Sequence, residues 1–352
     1  MSEPLENDLF IRACRRESVE RTPIWVMRQA GRYLPEYRAI RDRHDFLTMV
    51  KTPELAAEVT VQPVDLIGTD AAILFSDIMT VPEAMGMDLE MVEKRGPVLH
   101  DPIRSISDAR RLKAPDPETD LGYVMGAIRE TRARLNGRVP LIGFSGSPWT
   151  LFVYMVEGSG SKAFQHPKAM IYGEPAAARE LLDRIASAVG DYLLAQIAAG
   201  VDAVQLFDTW GGILPPAEYR EFSLESMRRI IERLKPAGVP IIVFSKDCAH
   251  SLEHIARSGA DVIGIDWRTD LADAKRRVGD SVALQGNLDP AVLFATPEVV
   301  SERVRGVLDA FGPGDGHIFN LGHGVFPTTP VENMRALVSA VSKHSTRDHA
   351  SS

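Results

Sequence analysis

Cysteine is nearly absent from this chain: only Cys14 and Cys248 occur in 352 residues. Two thiols without a CxxC pair support neither a disulfide framework nor a structural zinc ribbon. Cys248-Ala249-His250 is the one local pairing that suggests a metal, and no second cysteine lies near it in sequence. Long apolar runs are missing too; none approaches the roughly 18 residues that span a bilayer. A net charge of −8 and a pI near 5.7 leave no basic excess for nucleic acid or an anionic membrane surface. The opening residues Ser2-Glu3-Pro4-Leu5-Glu6-Asn7-Asp8 are acidic and lack the basic-then-apolar order of a signal peptide. No internal repeat and no low-complexity segment is visible. These absences leave a reduced, cytoplasmic enzyme as the expectation.

What is present is ordinary globular material, 45% hydrophobic and 25% charged, enough for a large core. Short β-rich runs alternate with longer amphipathic ones. The strand candidates are Ile24–Met27, Ala71–Phe75, Val139–Phe144, Ala203–Phe207, Pro240–Phe244, Asp261–Ile265, Val282–Gln285 and His317–Leu321. They are continuously apolar, as parallel strands covered on both faces should be. Between them, Glu174–Ala199 spaces Leu182, Ile185, Val189, Leu193 and Ile197 on one helical face before Gly200. Thr296-Pro297-Glu298 reads as a helix start, with Val300, Val304, Val307, Leu308 and Phe311 inward; Thr52-Pro53-Glu54 and Thr329-Pro330 repeat the signal.

About eight strand–helix alternations predict a single-domain, distorted (β/α)8 barrel over residues 1–341, followed by a polar, frayed tail at 342–352. The competing layout is a doubly wound sheet, which would want G-x-G-x-x-G after its first strand; here that strand runs into Arg28-Gln29-Ala30-Gly31-Arg32. Met85 to Asp120 fits no βα unit and reads as an insertion, with a Pro-rich bend at Lys113–Glu118.

A barrel gathers its chemistry past the C-terminal ends of its strands. Polar groups stand there in every case. They are Arg28 and Arg32, Ser76-Asp77, Ser145 and Ser147, Asp208-Thr209, Ser245-Lys246-Asp247, Asp266, Gln285-Gly286-Asn287 and Gly322-His323-Gly324. Each has an ordinary explanation. The arginines could close the rim on backbone carbonyls. Asp77 could cap the following helix. Tyr154, amid apolar neighbours, could be core. Lys246 could form a Schiff base or simply pair with Asp247. Arg38 and Arg41 could share a solvated helix face. The combination is the informative part: two guanidiniums four residues apart, a lone carboxylate and a histidine facing one mouth suit an anionic ligand.

Two long motifs carry a resemblance. Pro23-Ile-Trp-Val-Met-Arg-Gln-Ala-Gly-Arg-Tyr-Leu-Pro-Glu-Tyr-Arg38 closely resembles the arginine signature of the uroporphyrinogen decarboxylase family. Gly143-Phe-Ser-Gly-Ser-Pro-Trp-Thr-Leu-Phe-Val-Tyr-Met-Val-Glu-Gly158 is similar to its second signature. Ile73–Ile78, Val204–Gly212, Gln285–Pro290 and Asn320–Gly324 also look like that family, so the resemblance runs from about Leu5 to Val341. Thr209 stands where some members carry serine, and both supply a hydroxyl.

The resemblance implies a distorted (β/α)8 barrel, usually a homodimer with facing clefts, that works without metal or organic cofactor. Its substrate would be the tetrapyrrole uroporphyrinogen III, whose four acetates become methyls to give coproporphyrinogen III. It implies a substrate loop of Arg28, Gln29, Ala30, Gly31 and Arg32, further contacts at Asp77, Tyr154, Thr209 and His323, and catalytic roles for Asp77, Arg28 and His323. Among proton donors, imidazole has the most suitable intrinsic acidity; a phenol and a guanidinium are weaker acids, though the resemblance points to Arg28 as well. Two rivals stand beside this reading. A zinc- or cobalamin-dependent methyltransferase on the same barrel would want several cysteines. A tetrapyrrole carrier would want clamps for carboxylates and no counter-charge for a cation.

Overall fold

A computed structural model describes residues 5–92, 96–161 and 163–346. Seven strands form one parallel sheet. They are β1 (Ala72–Ile73), β4 (Leu141–Gly146), β5 (Ala203–Asp208), β6 (Ile241–Ser245), β7 (Val262–Gly264), β8 (Ala283–Gln285) and β9 (His317–Ile318), side by side in that order. The remaining two, β2 (Leu89–Val92) and β3 (Gly96–Leu99), make a separate antiparallel hairpin inside the predicted insertion. Leu99 N–H bonds Gly158 O at 2.7 Å, tying this hairpin to the end of helix Pro148–Glu157. Lys113–Glu118 has no regular structure, as its prolines require.

The eighth stave is the segment Pro23–Met27. It meets β9 through a parallel bridge between Ile24 and Phe319 and meets the β1 side through Asp70 N–H to Ile24 O at 2.7 Å. The sequence predicted a strand here, and the backbone forms only that bridge. The cause is side-chain competition for its amides. Asp70 Oδ2 accepts from Ile24 N–H (2.9 Å), Gln29 Oε1 from Val26 N–H (2.9 Å) and Asn320 Oδ1 from Met27 N–H (3.0 Å). Two other strands start one residue past a proline, at Leu141 and Ile241, because Pro140 and Pro240 have no N–H to give a neighbour.

Inside the barrel, Trp25, Met27, Ala71, Ile73, Ile142, Ala203, Ile242, Val262, Ala283 and Ile318 fill one buried cluster. A polar relay crosses it: Trp25 Nε1–H donates to Gln285 Oε1 (2.8 Å), whose amide donates to Gln205 Oε1 (3.2 Å). Phe10, Ala13 and Cys14 from the helix Leu9–Cys14 join the same cluster. That helix seals the N-terminal end, since its flanks bond residues just ahead of strands: Asn7 to Asp70, Glu6 N–H to Gly137 O, Arg16 to Asp280 O. The other end is left for the ligand. A larger cluster outside holds the helices to the sheet, Leu182, Ile185, Val189 and Leu193 among them.

Helices Pro53–Ile67, Pro175–Ala199, Pro297–Phe311 and Val331–Ser345 stand where the periodicity put them. Thr52 and Thr296 make no capping hydrogen bond, so N1 proline alone marks those starts. The last helix continues through Ser345, which accepts from Thr22 N–H at 3.0 Å. The tail predicted to fray from 342 is therefore helical through Ser345, and 347–352 lie outside the described residues.

Candidate active site

The arginine loop begins with Arg28 in a left-handed conformation, φ 64°, unusual for a residue with a Cβ. Gly31 is required there: a Cβ would meet Arg28 O at 2.8 Å. Gln29 bolts the loop down. It is fully buried, accepts from Val26 N–H and donates to Ala71 O at 2.9 Å. Arg38 Nη1 donates to Arg32 O (2.9 Å) and Tyr33 O (3.1 Å), so it serves the loop from behind. Arg41 donates to His44 O. Arg28 and Arg32 themselves are exposed, and neither forms an ion pair with a carboxylate among the described residues. Of the five loop residues expected at the ligand, the two arginines present exposed side chains without a carboxylate partner among the described residues, Ala30 and Gly31 are half-buried, and the Gln29 side chain is spent internally.

Asp77 follows β1. Its Oδ1 accepts from Met79 N–H at 2.8 Å, and its backbone carbonyl accepts from Thr80 Oγ1. Asp77 is thus not the cap of the following helix, whose first flanking residue is Met79: one oxygen anchors the turn ahead of it, and no hydrogen bond among the described residues engages Oδ2. Burial pushes this carboxyl above its ordinary range; the Met79 N–H and the nearby Arg28 pull the other way, and Glu83 adds to the rise.

Tyr154, on helix Pro148–Glu157, is half-buried with its ring 6.3 Å from that of Trp210. Burial raises its phenol, Asp77 adds to the rise and Arg28 opposes it, so these three groups feel one another. His323 is pushed down to about 4, first by burial, then by Arg28 and Lys246, with Asp247 opposing. It is therefore neutral at neutral pH in the unliganded protein, and the acidity expected of a free imidazole is not available there. Gly324 explains its closeness to Arg28: a Cβ on that glycine would collide with the Arg28 side chain.

Strand alternation points the remaining groups inward. On β5, Ala203 and Phe207 face the barrel, and Thr209 is the next residue of that parity; on β6, Ile242 and Phe244 lead to Lys246. Phe144, Phe207 and Phe244 meet edge to face with centroids 5.6 and 6.3 Å apart, and Phe244 lies 6.2 Å from the His323 ring. The mouth has an aromatic floor with charged walls. Among the described residues no side-chain hydrogen bond links Thr209 to the arginines, and its place in the mouth rests on strand parity alone.

Sequence reasoning gave no role to Asp208. Its carboxylate is fully buried without a cation and accepts from Ser147 (2.7 Å), Ser223 (2.8 Å), Thr150 (3.3 Å) and Ser245 (3.4 Å). Ser147 also caps helix Pro148–Glu157 through Thr150 N–H, so Asp208 joins the helix carrying Tyr154 to β5 and β6. The signal was available in the coincidence of Ser147, Ser245 and Asp208 at three strand ends. Cys248 is buried and donates to Lys246 O at 3.3 Å, and among the described residues no three His, Cys, Asp or Glu side chains are grouped to hold a metal. Lys246 pairs with Asp247 at 2.8 Å, the second of the two roles its sequence position offered.

Fold and site together define a (β/α)8-barrel protein with a cation-walled, aromatic-floored mouth. The family model described as uroporphyrinogen decarboxylase matches residues 5–344. The uroporphyrinogen decarboxylase of Chlorobium phaeovibrioides is 53% identical over 350 residues, 98% of this chain and 100% of that protein. That of Alcanivorax borkumensis is 52% identical over 343 residues, 96% of this chain and 97% of that protein. Among solved structures, a methyltransferase from Methanosarcina mazei superposes with a TM-score of 0.82 at 19% identity, covering 97% of this chain and 99% of that one. At that identity the likeness speaks for the fold alone. The chain belongs to the uroporphyrinogen decarboxylase family.

Proposed function

We propose that this chain decarboxylates the four acetate side chains of uroporphyrinogen III to methyls, yielding coproporphyrinogen III in porphyrin biosynthesis. The observation that carries the mechanism is Asp77: one oxygen tied to Met79 N–H, the other without a hydrogen bond among the described residues, half-buried in the mouth near the exposed Arg28. The substrate is a ring of four pyrrole N–H donors edged by eight carboxylates. Arg28 and Arg32 grip carboxylates at the rim. Asp77 accepts from the inward N–H groups.

An acetate on a neutral pyrrole holds its CO2 because the leaving electron pair has no sink. Protonation of the neighbouring ring carbon, from the Arg28–His323 wall, makes a cation beside ionised Asp77. The C–CO2 bond then breaks, and its electron pair quenches the cation as an exocyclic C=C. A second proton on that methylene gives the methyl, and loss of the first restores the pyrrole. Each round replaces one CO2 with one proton. The substrate supplies its own sink, so we assign no metal and no organic cofactor. His323 starts neutral; substrate carboxylates arriving between its cationic neighbours raise its proton affinity. Tyr154 and Thr209 offer hydroxyls to the bound ring.

A homodimer in the cytoplasm completes the proposal; no helix among the described residues is long and apolar enough to cross a membrane. Carbon dioxide release on adding uroporphyrinogen III, with four equivalents per ring, is the expected result. Tight binding without gas would favour a carrier, and methyl transfer without gas would favour the methyltransferase reading.

A further inference from the structure

We propose that Lys246 is a further anion-holding residue of the mouth, binding a substrate carboxylate beside His323 from a different wall than the arginine loop. This rests on the decarboxylase reading. Lys246 is the residue after β6 that continues the inward parity of Ile242 and Phe244. Its backbone is fixed on both sides: its N–H donates to Asp208 O (3.2 Å), and its carbonyl accepts from Gly212 N–H (3.1 Å) and Cys248 Sγ (3.3 Å). The side chain is 19% exposed, so the ammonium is neither sealed in nor free to wander.

Its surroundings set a direction. The ammonium stands 5.9 Å from the Trp267 ring centroid, and that ring is 6.1 Å from His323. Arg28 lies along Gly324, the residue after His323. His323 therefore lies near two cations that both act to keep it unprotonated, the one from the arginine loop and the other from the end of β6. Substrate carboxylates neutralising both cations would reverse that effect.

Asp247, the present partner of Lys246, has a second cation already: Arg268 pairs with it at 2.8 Å. Asp247 N–H also donates to Asp266 Oδ2 at 2.6 Å, which holds the carboxylate's backbone still. Lys246 can thus turn toward a ligand without leaving Asp247 unpaired. A macrocycle with carboxylates all round its edge needs cations on more than one wall, and Arg28 with Arg32 occupy only one loop.

The test is steady-state kinetics with uroporphyrinogen III on the wild type, Lys246→Met, Lys246→Arg, Asp247→Asn and the Lys246→Met/Asp247→Asn double variant. A charge-assisted contact of this kind predicts a KM raised about 10-fold or more in Lys246→Met, with kcat falling by a smaller factor. Lys246→Arg restores most of the KM. The Lys246→Met effect persists in the Asp247→Asn background. An unchanged KM in Lys246→Met overturns the proposal. So does an effect that disappears once Asp247 is neutral, because then Lys246 served only that carboxylate. A wild type that releases no CO2 overturns the decarboxylase reading instead, before any variant is compared.

Discussion

Acid should weaken this fold through one histidine remote from the chemistry. His317 is buried on β9, stacked 4.4 Å from Phe311 at 8°, and its Nε2 bonds Gly286 O at 3.0 Å. Lys275 rests over the opposite partner of that stack, 4.1 Å from the Phe311 centroid. Burial lowers the imidazole to about 4, the Gly286 carbonyl pulls the other way and Lys275 adds to the fall. The unfolded chain would titrate near 6.5. Between those values the unfolded state binds the proton and the folded state refuses it, so stability is full above about 6.5 and falls with pH down to about 4. For that gap the loss is about 2 kcal/mol by pH 5 and about 3 kcal/mol by pH 4. Urea unfolding of wild type and His317→Phe at pH 7 and pH 5 reads it directly. The variant is less stable at pH 7, because Gly286 O loses its donor, typically by about 1–3 kcal/mol. The wild type should lose about 2 kcal/mol more than the variant on going to pH 5. Parallel losses in the two proteins would refute the assignment.

Two further expectations concern the mouth. Arg32→Ala should weaken uroporphyrinogen binding about 10-fold, because no carboxylate among the described residues pairs with it and the substrate would lose a charge-assisted contact; unchanged affinity in a binding titration would make Arg32 structural. Gly324→Ala should cut kcat/KM by at least about tenfold with little change in melting temperature, since its methyl displaces the Arg28 side chain; an enzyme of parent activity would show that Arg28 has no need of that position.

Much of the barrel was legible because parallel strands buried on both faces are apolar without interruption. Where the reading failed, local polar chemistry had overridden that pattern. Ile24–Met27 is apolar enough for a strand, yet Gln29 just past it and Asp70 and Asn320 from far along the chain take its amides, and an apolar run announces none of the three. The polar end of the last helix looked like a tail because Ser345 reaches back to Thr22, a contact spanning the whole chain. At the site, the parity of Thr209 and Lys246 could be read from the strands. The left-handed turn at Arg28 could not, nor could the sealing of Gln29, because both depend on Ala71 and Gly31 closing around them. The role of Asp208 was only partly legible, through Ser147 and Ser245 at neighbouring strand ends, because its four hydroxyl donors come from three separated segments.

Asp77→Asn tests the central claim most directly. Asparagine keeps an acceptor for Met79 N–H and nearly the same shape, so the turn survives and only the charge is removed. A cation about 4 Å from that charge, at an effective dielectric near 20, gains roughly 4 kcal/mol, or on the order of a thousandfold in rate. Single-turnover decarboxylation of bound uroporphyrinogen III is the measurement. The account predicts substrate affinity within a few-fold of wild type and a CO2-release rate lower by about three orders of magnitude. A variant that binds normally and releases CO2 near the parent rate would contradict it.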